Sequence, residues 1–261
     1  MPTGPAAAPL PFRDRSLLLA EIGVLTLLSW IYLVRMPMAP ADLGSFAAQL
    51  FAPLPSRWVD LWLVFMMWAV MMVAMMMPSA SPMVFMYARI ARGRTPAWLR
   101  HAWAFALGYV CVWTVFSLFA TAAQVLLVRA AVISNALTAT PIVGGTILIV
   151  AGIYQLTPLK NACLGQCQSP YSFFMSRWRD GGVAAFRMGF EHGVFCVGCC
   201  WLLMGLLFVA GVMNLAWVAA ISIFVLLEKA TPYGRAIANV AGAALIASGA
   251  IVWFHALAHP F

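Results

Sequence analysis

One apolar stretch of the sequence combines an imidazole, three thiols and a thioether at helical spacing. At about 100° per residue, His192, Cys196 and Cys199 fall on one helix face, with Cys200 and Met204 along its edge. Metal-binding groups at membrane depth are functional candidates by default. This helix face therefore predicts a thiol-rich metal site.

Packing is the alternative explanation for each of these residues taken alone. A free cysteine behaves as a small buried hydrophobe, methionine fills gaps in cores, and a single histidine often bonds a carbonyl. Apolar membrane helices seldom carry all of these groups together, so the cluster favours a metal site over packing.

Two other segments supply further sulfur donors. Cys163 and Cys167 form a CxxxC pair after the fourth predicted span. The second predicted span contains seven methionines, of which Met72 and Met75 share a face of about 100° with Trp68. The predicted metal ligands are His192, Cys196, Cys199, Cys200, Cys163, Cys167, Met72, Met75 and Met204.

The donor types select the metal. Sulfur ligands suit copper(I), zinc or iron–sulfur clusters, whereas magnesium, calcium and manganese need oxygens, and the chain has only 7 Asp and Glu residues. Copper(I) is favoured because thioethers accompany the thiols. Zinc is the alternative, but CxxxC and CxxC spacings are not those of a standard zinc ribbon. Haem is less favoured, since His192 has no evident second axial residue.

Composition sets the fold class. The 261 residues are 64% hydrophobic and 8% charged, with a mean hydropathy of +0.95, which excludes a soluble globular domain. Several apolar runs reach the roughly 18 residues needed to cross a bilayer as a helix. We expect an all-α, polytopic transmembrane helical bundle in contact with the lipid bilayer. The net charge of +8 is spread over loop ends, which argues against nucleic acid binding.

The chain is expected to form a disordered tail at 1–16 and a single integral membrane domain at 17–258. Seven spans are predicted, with six possible because the sixth run is short for a crossing. Pro78 is expected to end the second span, and Ser81-Pro82 to begin a short basic helix. The predicted spans are 17–34, 60–77, 101–128, 141–158, 189–212, 215–228 and 236–254.

The segment 170–180 is predicted to be an amphipathic helix in the cytoplasmic membrane interface. Its apolar side chains recur at i, i+3, i+4 and i+7, and they are Tyr171, Phe174, Met175 and Trp178.

Loop charges orient the bundle. With seven spans and the N-terminus in the cytoplasm, twelve of the 15 Lys and Arg residues lie on the inner side. This positive-inside bias places the C-terminus outside. The same orientation puts Cys163 and Cys167, the first turns of the fifth span and Glu228-Lys229 at one cytoplasmic depth, together with the methionine-rich end of the second span.

At these motifs the chain resembles a bacterial family of predicted metal-binding integral membrane proteins, a domain of unknown function. The resemblance covers roughly residues 60–255. It rests on the methionine-rich run 71–78, on the run 154–167 with its two cysteines, and on the run 189–204. It implies metal binding in a bacterial inner membrane and leaves the mechanism open.

Two chemical functions follow from the thiols. The favoured one is binding, delivery or sensing of copper(I) at the cytoplasmic side. Transport is less favoured, because methionines become sparse toward the outer side. The other is a membrane thiol oxidoreductase in which Cys163/Cys167 and Cys199/Cys200 exchange electrons, with Cys196 activated near a helix N-terminus. The poor geometry of a vicinal disulfide weakens that alternative.

A third function is structural. The amphipathic helix and the basic segment 89–100 would then anchor a soluble cytoplasmic or membrane protein partner, and oligomer formation stays open. The sequence contains no phosphate-binding glycine loop, no Walker pattern and no nucleophile elbow. No catalytic residue is therefore predicted, and a hydrolase or nucleotide-driven pump is disfavoured.

Overall fold

The computed structural model describes residues 10–35, 57–129, 140–212 and 214–258, and this part of the chain is all-helical, as predicted. Its helices are α1 (Phe12–Arg35), α2 (Arg57–Arg92), α3 (Trp98–Arg129), α4 (Pro141–Gln155), α5 (Pro158–Gln168), α6 (Pro170–Arg177), α7 (Gly182–Gly205), α8 (Leu207–Ala210), α9 (Leu215–Ala230) and α10 (Gly234–Ala258). The predicted tail at 1–16 lies mostly outside the described residues.

Five helical segments of the described chain are long and apolar enough to cross a membrane: α1, α2, α3, α7 with α8, and α10. A sixth candidate is the pair α4 and α5, which bends by 64°. Helix α9 has 16 residues and is shorter than a typical crossing. The fold is thus compatible with a membrane protein of five or six spans, and the predicted seventh span is not confirmed.

Helix α2 continues through both of its prolines, so the predicted end at Pro78 and the predicted new start at Ser81-Pro82 are wrong. Proline lacks an N–H and leaves the carbonyl four residues earlier without its helical partner. Ser81 Oγ donates to the Pro78 carbonyl at 2.8 Å, which replaces the bond that Pro82 cannot make. Ser79 Oγ donates to the Met76 carbonyl at 2.9 Å. A serine hydroxyl therefore satisfies the carbonyl that Pro82 leaves without its helical partner.

The fourth predicted span, 141–158, ends earlier than expected because the chain bends after Gln155. Pro158 occupies the first turn of α5, where its missing N–H costs nothing. Thr157 caps the same helix by accepting a hydrogen bond from the Lys160 backbone N–H at 3.3 Å. The CxxxC pair, which the sequence places after the fourth predicted span, therefore lies on a helix.

Helix α7 begins at Gly182, well before the predicted start at residue 189. Gly181, with φ of +104°, makes the preceding turn in a conformation that glycine adopts readily. Cys196 consequently lies in the second half of α7. Its predicted activation by a nearby helix N-terminus is therefore wrong.

The amphipathic helix exists as α6, but it ends at Arg177 and its apolar residues divide between two directions. Phe173 and Phe174 are buried in the core. Tyr171 and Met175 are 67% and 69% exposed, which leaves an outward apolar edge. The predicted single apolar face is thus only partly correct, because two adjacent phenylalanines are needed to fill the space beside α3 and α7.

Close contact between α3 and α7 positions the residues of the predicted metal site. A Cβ atom on Gly189 would collide with the Phe105 backbone carbonyl, and one on Gly193 would lie 2.9 Å from Val112 Cβ. The two backbones therefore touch directly. The methionine-rich half of α2 fills the core beside them, with Met72 and Met75 fully buried.

We expect Gly189→Ala to lower the free energy of unfolding by about 1–3 kcal/mol, because the added methyl must separate α3 from α7. Gly23→Ala on α1 is the matched control, since nothing lies within 4 Å of its Cβ position. Alanine there should be neutral or stabilising by up to about 1 kcal/mol. Thermal unfolding in detergent measures both, and equal melting temperatures would contradict the close helix contact.

Candidate metal centre

Four thiols from two helices meet inside the bundle. Cys167 of α5 lies close enough to Cys196 and Cys199 of α7 to interact electrostatically with them, and Cys200 interacts with the same two residues. All four side chains are buried. All six cysteines of the chain fall in the described ranges, and none forms a disulfide.

Cys196 is the centre of this cluster. Lys229 Nζ, from the end of α9, donates a hydrogen bond to Cys196 Sγ at 2.8 Å. The Tyr109 hydroxyl of α3 lies 3.0 Å from the same sulfur. Lys229 also donates to Ser79 Oγ of α2 at 3.2 Å. Side chains of five helices thus converge on one sulfur atom or on its immediate partners.

The other two α7 thiols are turned toward their own helix. Cys199 Sγ and Cys200 Sγ donate to the Cys196 carbonyl at 3.1 and 2.9 Å. Within the described residues, no group of three or more His, Cys, Asp or Glu side chains already stands in metal-binding geometry. For either of these two thiols to bind a metal ion, it would have to exchange its carbonyl bond for a metal bond.

His192 lies next to the cluster among aromatic rings. Its ring centroid is 5.5 Å from that of Tyr109 and 5.7 Å from that of Phe173. The side chain is buried, and Nδ1 has no hydrogen-bond partner among the described residues. An orphaned imidazole nitrogen beside four thiols is a donor that a ligand could satisfy.

The remaining predicted ligands take different places. Cys163 is half-buried and lies against the α7 backbone, so that a Cβ on Gly198 would be 2.8 Å from its sulfur. Met72, Met75 and Met204 are buried in the same core as the cysteines, but the described contacts of these residues include no sulfur-to-thiol contact. The cluster that the structure brings together is therefore mainly thiol.

Sequence reasoning missed two partners of Cys196. The sequence predicts only that Lys229 lies near the other candidate residues, because a lysine at the end of a membrane helix usually reaches the interface and carries no functional signal. Tyr109 carries no such signal, because a tyrosine in a membrane helix is ordinary. Its relation to Cys196 depends on the close contact of α3 with α7.

A second buried polar network adjoins the cluster. Lys160 of α5 forms an ion pair with Glu228 and donates to Gln155, and the Lys160 and Glu228 side chains are fully buried. Gln168 Nε2 donates to the Glu228 backbone carbonyl at 2.8 Å. This network fastens α5 to α4 and α9, which fixes Cys167 and Lys229 relative to each other.

The buried charges of the two networks are unbalanced. Lys160 and Glu228 neutralise each other, whereas the ammonium of Lys229 faces the thiols of Cys196 and its neighbours. A buried cation needs a negative partner, and an ammonium within contact distance stabilises a thiolate. The surroundings of Cys196 thus favour the anionic sulfur that binds soft metal ions.

The fold and the buried thiols define an all-helical protein that is compatible with a membrane and has a core suited to soft metals. The model of the PpoB2 family, described as a copper chaperone, matches residues 65–252, and the chain therefore belongs to this family. Searches of curated proteins and of solved structures return no match. The family assignment fits a copper-handling role and supports the resemblance to a metal-binding family.

We expect Lys160→Met to lower the free energy of unfolding by about 3–5 kcal/mol, because it leaves the Glu228 carboxylate buried without a cation. The double variant Lys160→Met/Glu228→Leu should recover much of that loss. Arg187→Met, which removes a partly exposed pair with Glu191, is the control and should change stability by at most about 1 kcal/mol. Thermal unfolding in detergent measures the stability of the three variants. A double variant that is less stable than Lys160→Met would contradict the buried pair.

Proposed function

We propose that this protein is an integral membrane protein that binds copper(I) as cargo in the cluster of Cys167, Cys196, Cys199 and Cys200, and delivers it to a partner. The observation that carries the proposal is the convergence of four buried thiols and one ammonium in a member of a copper chaperone family. The partner is a soluble cytoplasmic protein or another membrane protein.

Copper(I) suits these donors because it is soft and is bound well by thiolate and thioether sulfur. Cys196 is the first ligand, since Lys229 stabilises negative charge on its sulfur. A second thiolate comes from Cys167 across the helix interface or from Cys199 within α7. Two thiolates, one copper(I) ion and the Lys229 ammonium together carry no net charge, which suits a buried site.

The neighbouring donors have supporting roles in this proposal. His192 lies on the same face of α7 and offers a free Nδ1, so it is an additional ligand. Met204, Met72 and Met75 line the core around the thiols, and their thioethers would hold copper(I) weakly during transfer. Cys163, which is half-buried, is the thiol of the set nearest to the protein surface.

Zinc remains the alternative metal. A structural zinc site takes four ligands in tetrahedral geometry. The four thiols of the cluster could supply these ligands only if Cys199 and Cys200 both broke their hydrogen bonds to the Cys196 carbonyl. These two residues follow each other on one helix. Copper(I) requires fewer ligands to move, and the family description favours it.

The proposed location is a bacterial inner membrane with the N-terminus in the cytoplasm and the C-terminus outside. Support comes from the long apolar helices and from the excess of arginine at the α2–α3 and α6–α7 turns. The thiol cluster would then be loaded and emptied from the cytoplasmic side, where thiols stay reduced.

We expect purified, reduced protein to bind about one copper(I) ion, and Cys196→Ser to lower its affinity by about 100-fold or more, because the central ligand is lost. Cys111→Ser is the matched control. Cys111 is a half-buried cysteine of α3 outside the cluster, so its variant should bind copper(I) like the wild type. Elemental analysis together with competition against a copper(I) chelator measures the stoichiometry and the affinity.

Three outcomes would count against this function. Wild-type protein that stays free of copper after reconstitution would contradict copper binding altogether. Equal losses of copper(I) affinity in Cys196→Ser and Cys111→Ser would show that the substitutions act through folding. Preferential retention of zinc by the wild type would favour the alternative metal.

A further inference from the structure

A cavity of about 400 Å³ opens where the α2–α3 turn faces the α6–α7 turn. Its walls combine aromatic rings with charged and polar groups. The lining residues are Tyr87, Ala91, Arg94, Thr95, His101, Trp178, Asp180 and Gly181. No role in holding copper has been assigned to any of them.

The outer rim of this cavity is held by exposed contacts around Asp180. Arg94 Nη1 lies 3.5 Å from Asp180 Oδ1, and the two side chains are 52% and 68% exposed. Trp178 Nε1 donates to the same oxygen at 2.8 Å, and the Arg94 guanidinium lies 5.1 Å from the Trp178 ring centroid. Exposed ion pairs contribute only about 0–1 kcal/mol, so the rim opens easily.

The floor of the cavity begins a continuous series of aromatic contacts. Tyr87 stacks on Trp178 with ring centroids 5.2 Å apart, and on Phe105 at the same separation. Phe105 in turn stacks on His192 at 6.2 Å. A single phenylalanine ring thus separates the floor of the cavity from the imidazole beside the thiol cluster.

The series ends at the thiols. His192 stacks on Tyr109 at 5.5 Å, and the Tyr109 hydroxyl lies 3.0 Å from Cys196 Sγ. The aromatic series therefore connects the floor of the cavity to the thiol cluster.

We infer that this cavity is the entrance for copper(I), which arrives as an anionic complex with small thiols and passes along the aromatic series to Cys196. The inference rests on the proposed function. The volume lies within the range of small-molecule pockets and is too small for a folded domain. Arg94 at the rim is paired with Asp180, so the net positive charge that attracts an anionic carrier comes from Arg100 and Arg179, which are exposed beside the two turns.

The transfer is a ligand exchange without a change of oxidation state. Two bonds between copper(I) and the carrier sulfurs break, and two form to Cys196 and a second cysteine. The proton of that second cysteine leaves on one of the released carrier thiols. No oxidant or reductant is needed.

Loading kinetics on detergent-purified, reduced protein tests the entrance, with the copper(I)–glutathione complex as the donor. Thr95→Phe fills the cavity and should slow loading by about tenfold while equilibrium affinity stays unchanged, because release is slowed equally. Phe105→Leu removes part of the separating ring and should speed loading. Met86→Phe is the control, since it fills a different cavity, between α1 and α2, and should load at the wild-type rate.

A charge variant tests whether the copper(I) carrier is anionic. Comparing two copper(I) donors on the same variant separates this effect from any change in folding. Arg94→Gln should slow loading from the anionic glutathione complex and should not slow loading from the cationic acetonitrile complex of copper(I), because the rim becomes more negative. Thr95→Phe and Arg94→Gln that both load at the wild-type rate would overturn the entrance. So would a slower rate in Cys163→Ser alone, because copper would then enter past the half-buried thiol of α5.

Failure of the proposed function is distinguishable from failure of the entrance. Wild-type protein that binds no copper(I) at equilibrium contradicts the function before any rate is compared. Wild-type binding with a lowered equilibrium affinity in Thr95→Phe overturns the entrance only, since an access route changes rates and leaves affinity alone.

Discussion

A buried ammonium group needs a negative partner, and Lys229 has thiol sulfur as its nearest candidate. Its nitrogen lies 2.8 Å from Cys196 Sγ and 3.2 Å from Ser79 Oγ, inside the core. The contact draws the end of α9 onto α7 and α2. Because the adjacent Glu228 is paired with Lys160, the thiol cluster remains as the counterpart of the Lys229 charge. The need of the buried Lys229 ammonium for a negative partner therefore favours a thiolate site, and such a site suits a soft monocation.

Backbone details make this convergence possible. Glycines at 189 and 193 let α7 lie directly against α3, which brings Tyr109 to Cys196. The bend before Pro158 turns α5 inward, and this places Cys167 against the α7 thiols. Helix α2 continues through its prolines, so Ser79 reaches Lys229 from a helix that runs past the site. Apolar composition determines the class of fold, whereas these local backbone features determine which side chains meet at the thiol cluster.

Residue spacing on one helix predicts which residues of α7 are buried together. His192, Cys196, Cys199 and Cys200 are all buried on α7, as the period of 3.6 residues requires. The charge pattern also places the CxxxC pair and Lys229 near one depth. The remaining features depend on long-range contacts that spacing does not encode. Cys167 joins the thiols while Cys163 stays at the edge, and the path of α2 through Pro82 depends on the Ser81 hydroxyl, which replaces a lost backbone bond.

X-ray absorption spectroscopy on the copper-loaded protein tests the central claim most directly, because it reports both the oxidation state and the atoms bound to copper. A buried thiol site predicts copper(I) with a sulfur first shell and at most one nitrogen, which His192 would supply. A first shell of oxygen and nitrogen, or copper(II) in reduced protein, would contradict the assignment of copper to the cluster around Cys196.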